Sequence, residues 1–201
     1  MINKPKYKTA RRLGANIFDK TQTEKFATKE SRKKIVRRPR PKSDYGLQML
    51  EKQKAKITYG ISEKMFAKYV KSILEKAGAN SPEKLLSILE SRLDNVIYRL
   101  GLASTRQASR QMVSHGHIMV NNIKVNVPSY QVSLGDIITI RERSTGKGIF
   151  TNLSEKIKDH KYPSWLAFDI NKIECKVQGA PKLSVLETNF DSAAVLNFYS
   201  R

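Results

Sequence analysis

The chain has 201 residues, a formal net charge of +20 and an isoelectric point near 10.1. So much self-repulsion disfavours a small-molecule enzyme and calls for a polyanionic partner, with nucleic acid ahead of an anionic membrane surface. No apolar run approaches the ~18–20 residues of a spanning helix, the N-terminal MINKPKYKTARRLG lacks the apolar stretch of a secretory signal, and the one cysteine, Cys175, excludes an internal disulfide and any multi-cysteine zinc site.

Residues 1–44 read as a basic arm. Arg11, Arg12, Arg37, Arg38 and Arg40 are among its cations, and Leu13, Ile17, Phe18 and Phe26 are its few anchors. That apolar surface is too small to offset the ordering entropy alone, so the arm is expected to order against phosphates. Asp44–Ala55 reads as a helix ended by Tyr59-Gly60, with Leu47, Met49 and Leu50 apolar and Lys52, Lys54 and Lys56 exposed. Ser62 caps the next helix. Its Met65, Phe66, Tyr69, Val70, Ile73, Leu74 and Ala77 form a double row at helical spacing that reads as core, ended by Gly78. Ser81-Pro82-Glu83 starts a third helix, with proline at the first turn and an acid beside it; Leu85, Leu86, Ile88 and Leu89 are its apolar residues. These helices are expected to pack as a small bundle.

The stretch Leu93–Arg141 carries the strongest pattern. Leu93, Val96, Ile97 and Leu100 repeat at i, i+3, i+4, i+7 until Gly101 stops the helix. Arg92 and Arg99 are seven residues apart and return to nearly one helical face. Ser104 is the expected cap of a second helix, with Gln107 completing a capping box. That helix buries Ala108, Met112 and Val113 and presents Arg106 and Arg110, and Gln107 and Gln111, at i, i+4 spacing. Beyond His115-Gly116 the period changes to two: Ile118 and Val120 face one way, and Ile123, Val125 and Val127 alternate with Lys124 and Asn126. Asn121-Asn122 is a hairpin dipeptide, because Asn tolerates positive φ. Leu134-Gly135-Asp136 turns the chain into Ile137–Arg141. The result is an ααβ unit with an arginine face, and planar guanidinium forks suit phosphates and stack on bases.

After Arg141 the pattern weakens. Ser144–Gly148 reads as a loop, Leu153–Ile157 as a short helix and Ile173–Val177 as a strand; Ser192–Ser200 fits either a helix or an extended piece. His115 and His117 flank a glycine, but two histidines without a cysteine or acid at ligand spacing argue for packing or RNA contact rather than metal. Gly146-Lys147-Gly148 lacks the upstream glycine and the following Ser or Thr of a phosphate loop. Cys175 reads as an inert buried thiol. No cofactor, metal or catalytic grouping is expected.

Two sets of motifs identify a family. The first is Tyr45-Gly46, Gln48, Glu51-Lys52-Gln53-Lys54, Tyr59-Gly60, Glu63 and Phe66. The second is Leu89-Glu90 with Arg92–Gly101, then Thr105-Arg106, Arg110-Gln111, Val113, His115–Ile118, Val120-Asn121 and Pro128-Ser129-Tyr130. Together with the ending Phe198-Tyr199-Ser200-Arg201, they resemble the bacterial-type ribosomal protein S-four family of the small subunit over nearly the whole chain. The resemblance implies an α+β protein. A mostly helical domain (45–90, completed by 166–201) follows the arm (1–44), and a small ααβ RNA-binding domain (91–165, core 92–141) is inserted in it. The arm lacks the four cysteines that hold zinc in many relatives, so it resembles the zinc-free branch. Ser109 stands where alanine is usual, and Asn122 stands for the turn glycine. Arg92-Leu93-Asp94 also matches the tripeptide around the catalytic aspartate of some pseudouridine synthases, but no second domain follows to build a uridine pocket. Asp94 is therefore expected to be a structural carboxylate on the helix surface, orienting a neighbouring arginine.

The resemblance implies a structural, non-enzymatic constituent of the small ribosomal subunit. Such a protein binds the 5′ domain of the ribosomal RNA, nucleates assembly and contributes to translational accuracy. Its partners would be that RNA, neighbouring subunit proteins (notably protein S-five) and messenger RNA near the entry channel, with no membrane and no small-molecule substrate. It would sit in the ribosome of the bacterial cytoplasm, or of an organelle encoding its own version. The alternatives are an RNA-modifying enzyme or a ribosome-associated RNA-binding factor carrying the same module. The phosphate-contacting residues expected first are Arg92, Arg99, Arg106, Arg110 and Lys124. Ser104, Thr105, Gln111, His115, His117 and Asn121 would add hydrogen bonds, Tyr130 and Tyr59 would stack on RNA or serve the core, and Lys52, Lys54 and Lys56 would contact RNA from the bundle.

Overall fold

Capping and apolar spacing set most element boundaries. The computed structural model describes residues 5–15, 17–31, 43–76, 81–146, 148–150, 157, 160, 162–169, 172–181 and 188–200. Its helices are α1 (Lys6–Leu13), α2 (Glu24–Ser31), α3 (Asp44–Thr58), α4 (Glu63–Glu75), α5 (Ser81–Glu90), α6 (Leu93–Arg99), α7 (Arg106–Ser114), α8 (Glu142–Thr145) and α9 (Ser192–Tyr199). Its strands are β1 (Ile118–Val120), β2 (Ile123–Val125), β3 (Ile137–Ile140), β4 (Leu166–Asp169) and β5 (Glu174–Val177), so the fold is α+β. Most of the helix expected at 153–157, the stop expected at Gly78, and Arg37, Arg38 and Arg40 lie outside the described residues.

The chain divides into two compact units, Met1–Leu85 with Leu183–Arg201, and Leu86–Lys182. In the first, Ser43 and Ser62 cap α3 and α4 by accepting from the N–H groups of Gly46 and Met65. The arm holds more local structure than its composition suggested. Helix α1 buries Ala10 and Leu13, and Tyr7 stacks on Phe26 with ring centroids 5.6 Å apart. Helix α1 also touches α3. The C-terminal tail resolves to a helix because Asp191 caps it, its Oδ1 accepting from the N–H groups of Ala193 and Ala194. Helix α9 lies on α3 and α4. Phe198 tilts against Tyr45, Tyr199 against Phe66, and Phe190 meets Tyr59 edge-on.

In the second unit, α6 and α7 pack together beside a five-stranded antiparallel sheet of order β2-β1-β3-β5-β4. Its register sets Ile118 opposite Ile140, Val120 opposite Ile138, Ile138 opposite Cys175, and Leu166 opposite Val177. One buried apolar row therefore crosses the sheet and meets Leu93, Val96, Ile97, Leu100, Met112 and Val113. Val120 pairs with Ile123, which leaves Asn121 (φ 50°) and Asn122 (φ 63°) as the two-residue turn. Both residues have the left-handed backbone that a type I′ hairpin requires. Residues 166–177, grouped by sequence with the helical domain, instead supply β4 and β5 of this sheet. Leu166, Phe168, Cys175 and Val177 alternate toward the common core, and β5 adds to the open side of β3.

Candidate nucleic-acid interface

The corner between α5 and α6 sets the geometry of the arginine face. Helix α5 ends at Glu90, and Arg92, with φ −67° and ψ 134°, becomes the extended residue preceding α6. Residues 128–132 run alongside: the N–H groups of Leu93 and Asp94 donate to the carbonyls of Tyr130 and Pro128, and Val132 N–H donates to Ser91. The Ser91 hydroxyl donates to Gln131 Oε1 at 2.6 Å. These bonds fix where α6 begins, and with it the direction of its side chains.

Two buried carboxylates organise the cations. Glu90 is fully buried and receives a forked pair of bonds from Arg99, Nε at 2.9 Å and Nη2 at 2.8 Å. Asn95 Nδ2 donates to the same carboxylate at 2.7 Å, and Asn95 Oδ1 accepts from Arg106 Nε at 2.8 Å. The Arg106 guanidinium lies over the Tyr98 ring, 4.3 Å from its centroid, in a cation–π arrangement. Asp94, also buried, receives Arg92 Nε at 3.1 Å and Nη2 at 2.8 Å, and Arg110 Nη2 at 3.2 Å. Arg99, Arg106 and Arg110 keep part of their surface in solvent.

Several expectations change here. Arg92, expected on the phosphate face, is 1% exposed and holds Asp94 from inside. Asp94 is likewise buried rather than on the helix surface, though it does orient arginines. Thr105, not Ser104, caps α7, its hydroxyl accepting from Ala108 N–H at 3.1 Å while Ser104 is exposed. The cap falls one residue later because Thr105 has the extended backbone a cap requires. His117 is buried, its Nδ1 3.0 Å from Ser144 Oγ and its ring edge-on to Phe150. Asn121 is exposed, yet its amide donates to Asp136 and its carbonyl accepts from Ile137 N–H, pinning the hairpin. Gln111, His115, Lys124 and Tyr130 are exposed. The Lys124 stem lies over Gly116, whose φ of 68° and missing Cβ leave room for it, and brings its ammonium to the C-terminal end of α7, a favourable place for a cation.

The bundle lysines are engaged within their own unit. Lys52 is buried rather than exposed, bonds Glu63 at 2.9 Å and lies 4.3 Å from the Phe198 centroid. Lys56 bonds Glu63 at 2.8 Å and Lys54 bonds Glu51 at 2.6 Å. Burial alone would raise the Glu63 pKa, but hydrogen bonds from Lys56, Lys52 and Tyr199 and the charge of Lys52 outweigh it and bring the pKa down to about 2. Burial pushes Tyr199 above its usual range, reinforced by its bond to the Glu63 carboxylate. Tyr59 is a core residue. Arg11 and Arg12 are exposed on α1. Cys175 is buried, and desolvation raises its thiol to about 12.

Sequence reasoning missed Glu90 and Asn95 as parts of this face. The available signal was an acid placed among the buried Leu85, Leu86, Leu89 and Leu93, since such an acid needs a cation partner.

The S4 domain model matches residues 91–138, and the model described as Ribosomal protein S4/S9 N-terminal domain matches residues 2–90. The chain is 38% identical to small ribosomal subunit protein uS4 of Chloroflexus aurantiacus over 98% of this chain and 97% of the relative. It is 40% identical to that of Laribacter hongkongensis over the same shares, and 44% identical to that of Halothermothrix orenii over 82% of this chain and 78% of the relative. With buried acids aiming arginines outward from the module and relatives matching almost end to end, the chain belongs to the uS4 family of small ribosomal subunit proteins.

Proposed function

We infer that this chain is a structural constituent of the small ribosomal subunit, that it binds ribosomal RNA and that it catalyses no reaction. The observation that carries the reading is the set of partly exposed arginines on α6 and α7, held by Glu90, Asn95 and Asp94. Guanidiniums held in fixed orientation suit phosphate oxygens, whose neutralisation releases counterions and supplies bulk affinity. The geometry of the array then selects among RNA shapes. Asp94 argues against the modifying-enzyme alternative, because it is buried and engaged by two arginines as a structural carboxylate.

The finer reading follows the family. The RNA is the 5′ domain of the small-subunit ribosomal RNA, and binding there nucleates assembly. Neighbouring proteins, notably protein S-five, and messenger RNA near the entry channel are further partners through which decoding accuracy is influenced. The site of action is the ribosome in the bacterial cytoplasm or in an organelle. Arg99, Arg106, Arg110, Lys124, Gln111, His115 and Tyr130 contribute the module's contacts, and Arg11, Arg12, Arg37, Arg38 and Arg40 contribute those of the arm.

The test is filter binding of a 5′-domain transcript to Arg106→Ala/Arg110→Ala. Alanine is preferred to glutamate because a carboxylate at position 110 would face Asp94. Loss of two charge-assisted contacts weakens binding by about 3 kcal/mol, roughly 150-fold. Binding equal to that of the parent by a folded double variant overturns the assignment of this face.

A further inference from the structure

Glu90 carries a negative charge in a protein whose formal net charge is +20, beside the face proposed to meet RNA. Bulk attraction to RNA is reduced by that placement. The carboxylate is fully buried and bonds Arg99 through both oxygens, so it is engaged in fixing that arginine rather than solvated. Through Asn95 it also reaches a second cation. Asn95 Nδ2 donates to Glu90 Oε2 at 2.7 Å, and Asn95 Oδ1 accepts from Arg106 Nε at 2.8 Å. The Asn95 amide is thereby oriented at both ends, and the Arg106 guanidinium, bonded to it, lies over the Tyr98 ring.

We propose that Glu90 and Asn95 are positioning residues for RNA discrimination: they fix the planes of Arg99 and Arg106 so that the array fits a folded RNA junction better than a regular duplex, at some loss of general attraction. This rests on the RNA-binding reading above. The underlying physics is entropic. A free arginine is rich in rotamers and can follow any phosphate row, whereas a fixed guanidinium has less freedom to lose on binding, and only where the phosphates match its direction.

Removing the charge separates positioning from simple electrostatics, because the two predict opposite signs. Glu90→Gln makes the protein more positive. If the carboxylate matters only through its charge, both a 5′-domain transcript and a plain duplex of equal length bind at least as tightly as before. If it positions, the duplex binds as well or better while the transcript binds more weakly, and the ratio of the two affinities falls about tenfold or more. Glu83→Gln, the same charge change at an exposed acid of α5, keeps the ratio. Circular dichroism and a thermal melt show whether Glu90→Gln is folded. Where it is not, Arg106→Lys decides alone: it preserves charge at a half-buried position but loses the guanidinium Nε bond to Asn95 and the guanidinium over the Tyr98 ring. Positioning requires this variant to lose discrimination with a salt slope equal to that of the parent. An unchanged affinity ratio in the folded variants overturns the inference. If the parent shows no preference for the transcript and Arg106→Ala/Arg110→Ala binds as the parent does, the RNA-binding reading itself has failed, and this inference with it.

Discussion

Arg92→Ala separates a cation that builds the module from one that contacts RNA. The Arg92 side chain is 1% exposed and that of Asp94 6%, and two hydrogen bonds of 3.1 and 2.8 Å join them. Deleting one partner of a buried ion pair strands the other charge and costs about 3–5 kcal/mol. Here Arg110, 3.2 Å from Asp94, retains part of the compensation, so the lower end, about 3 kcal/mol, applies. With a urea slope of ~1.5 kcal/mol per molar, the unfolding midpoint falls by ~2 M. Urea titration followed by circular dichroism is the assay. Arg92→Met/Asp94→Leu supplies the cross-check, because removing both charges leaves neither stranded, and the double variant is then more stable than Arg92→Ala. An Arg92→Ala protein that keeps its midpoint within ~0.5 M yet loses RNA affinity refutes the argument and returns Arg92 to the contact surface.

Three further outcomes are expected. Glu63, with its pKa depressed to about 2, stabilises the clasp of α9 fully above its ordinary value of 4.5, and that contribution is lost as pH falls toward 2; melts at stepped pH should therefore show Glu63→Gln flattening the decline over this window, and parallel curves count against it. Gly116→Ala places a Cβ at φ 68° on the Lys124 stem, so it destabilises by about 1–2 kcal/mol from backbone conformation alone and displaces Lys124, which a urea midpoint equal to that of the parent disproves. The logarithm of RNA affinity falls against the logarithm of salt with a slope of roughly −5 or steeper when six or so phosphates are engaged; a flat titration removes the phosphate mechanism.

Periodicity, capping and turn chemistry are local, so they were legible in the chain itself. Ser62 caps through Met65 three residues on, and Asn121-Asn122 take positive φ by residue type, so the helix and the hairpin turn are where their spacing indicates, with the bonds from Asn121 to Asp136 and Ile137 added by the fold. The basic charge and the arginine spacing along α6 and α7 likewise pointed to RNA. Long-range pairing decided the rest. That residues 166–177 extend the sheet depended on the open side of β3, which no local window contains. Tail helix α9 acquires its neighbours from α3 and α4, more than a hundred residues earlier in the chain. The same holds for the cations: Arg92, Arg99, Arg106 and Arg110 look alike in sequence, but burial and the reach of Glu90 and Asp94 divide them into one internal brace and three outward-facing groups. A charge declares its sign in the sequence. Its availability depends on which opposite charge folding places within about 3 Å, and that is settled only in three dimensions.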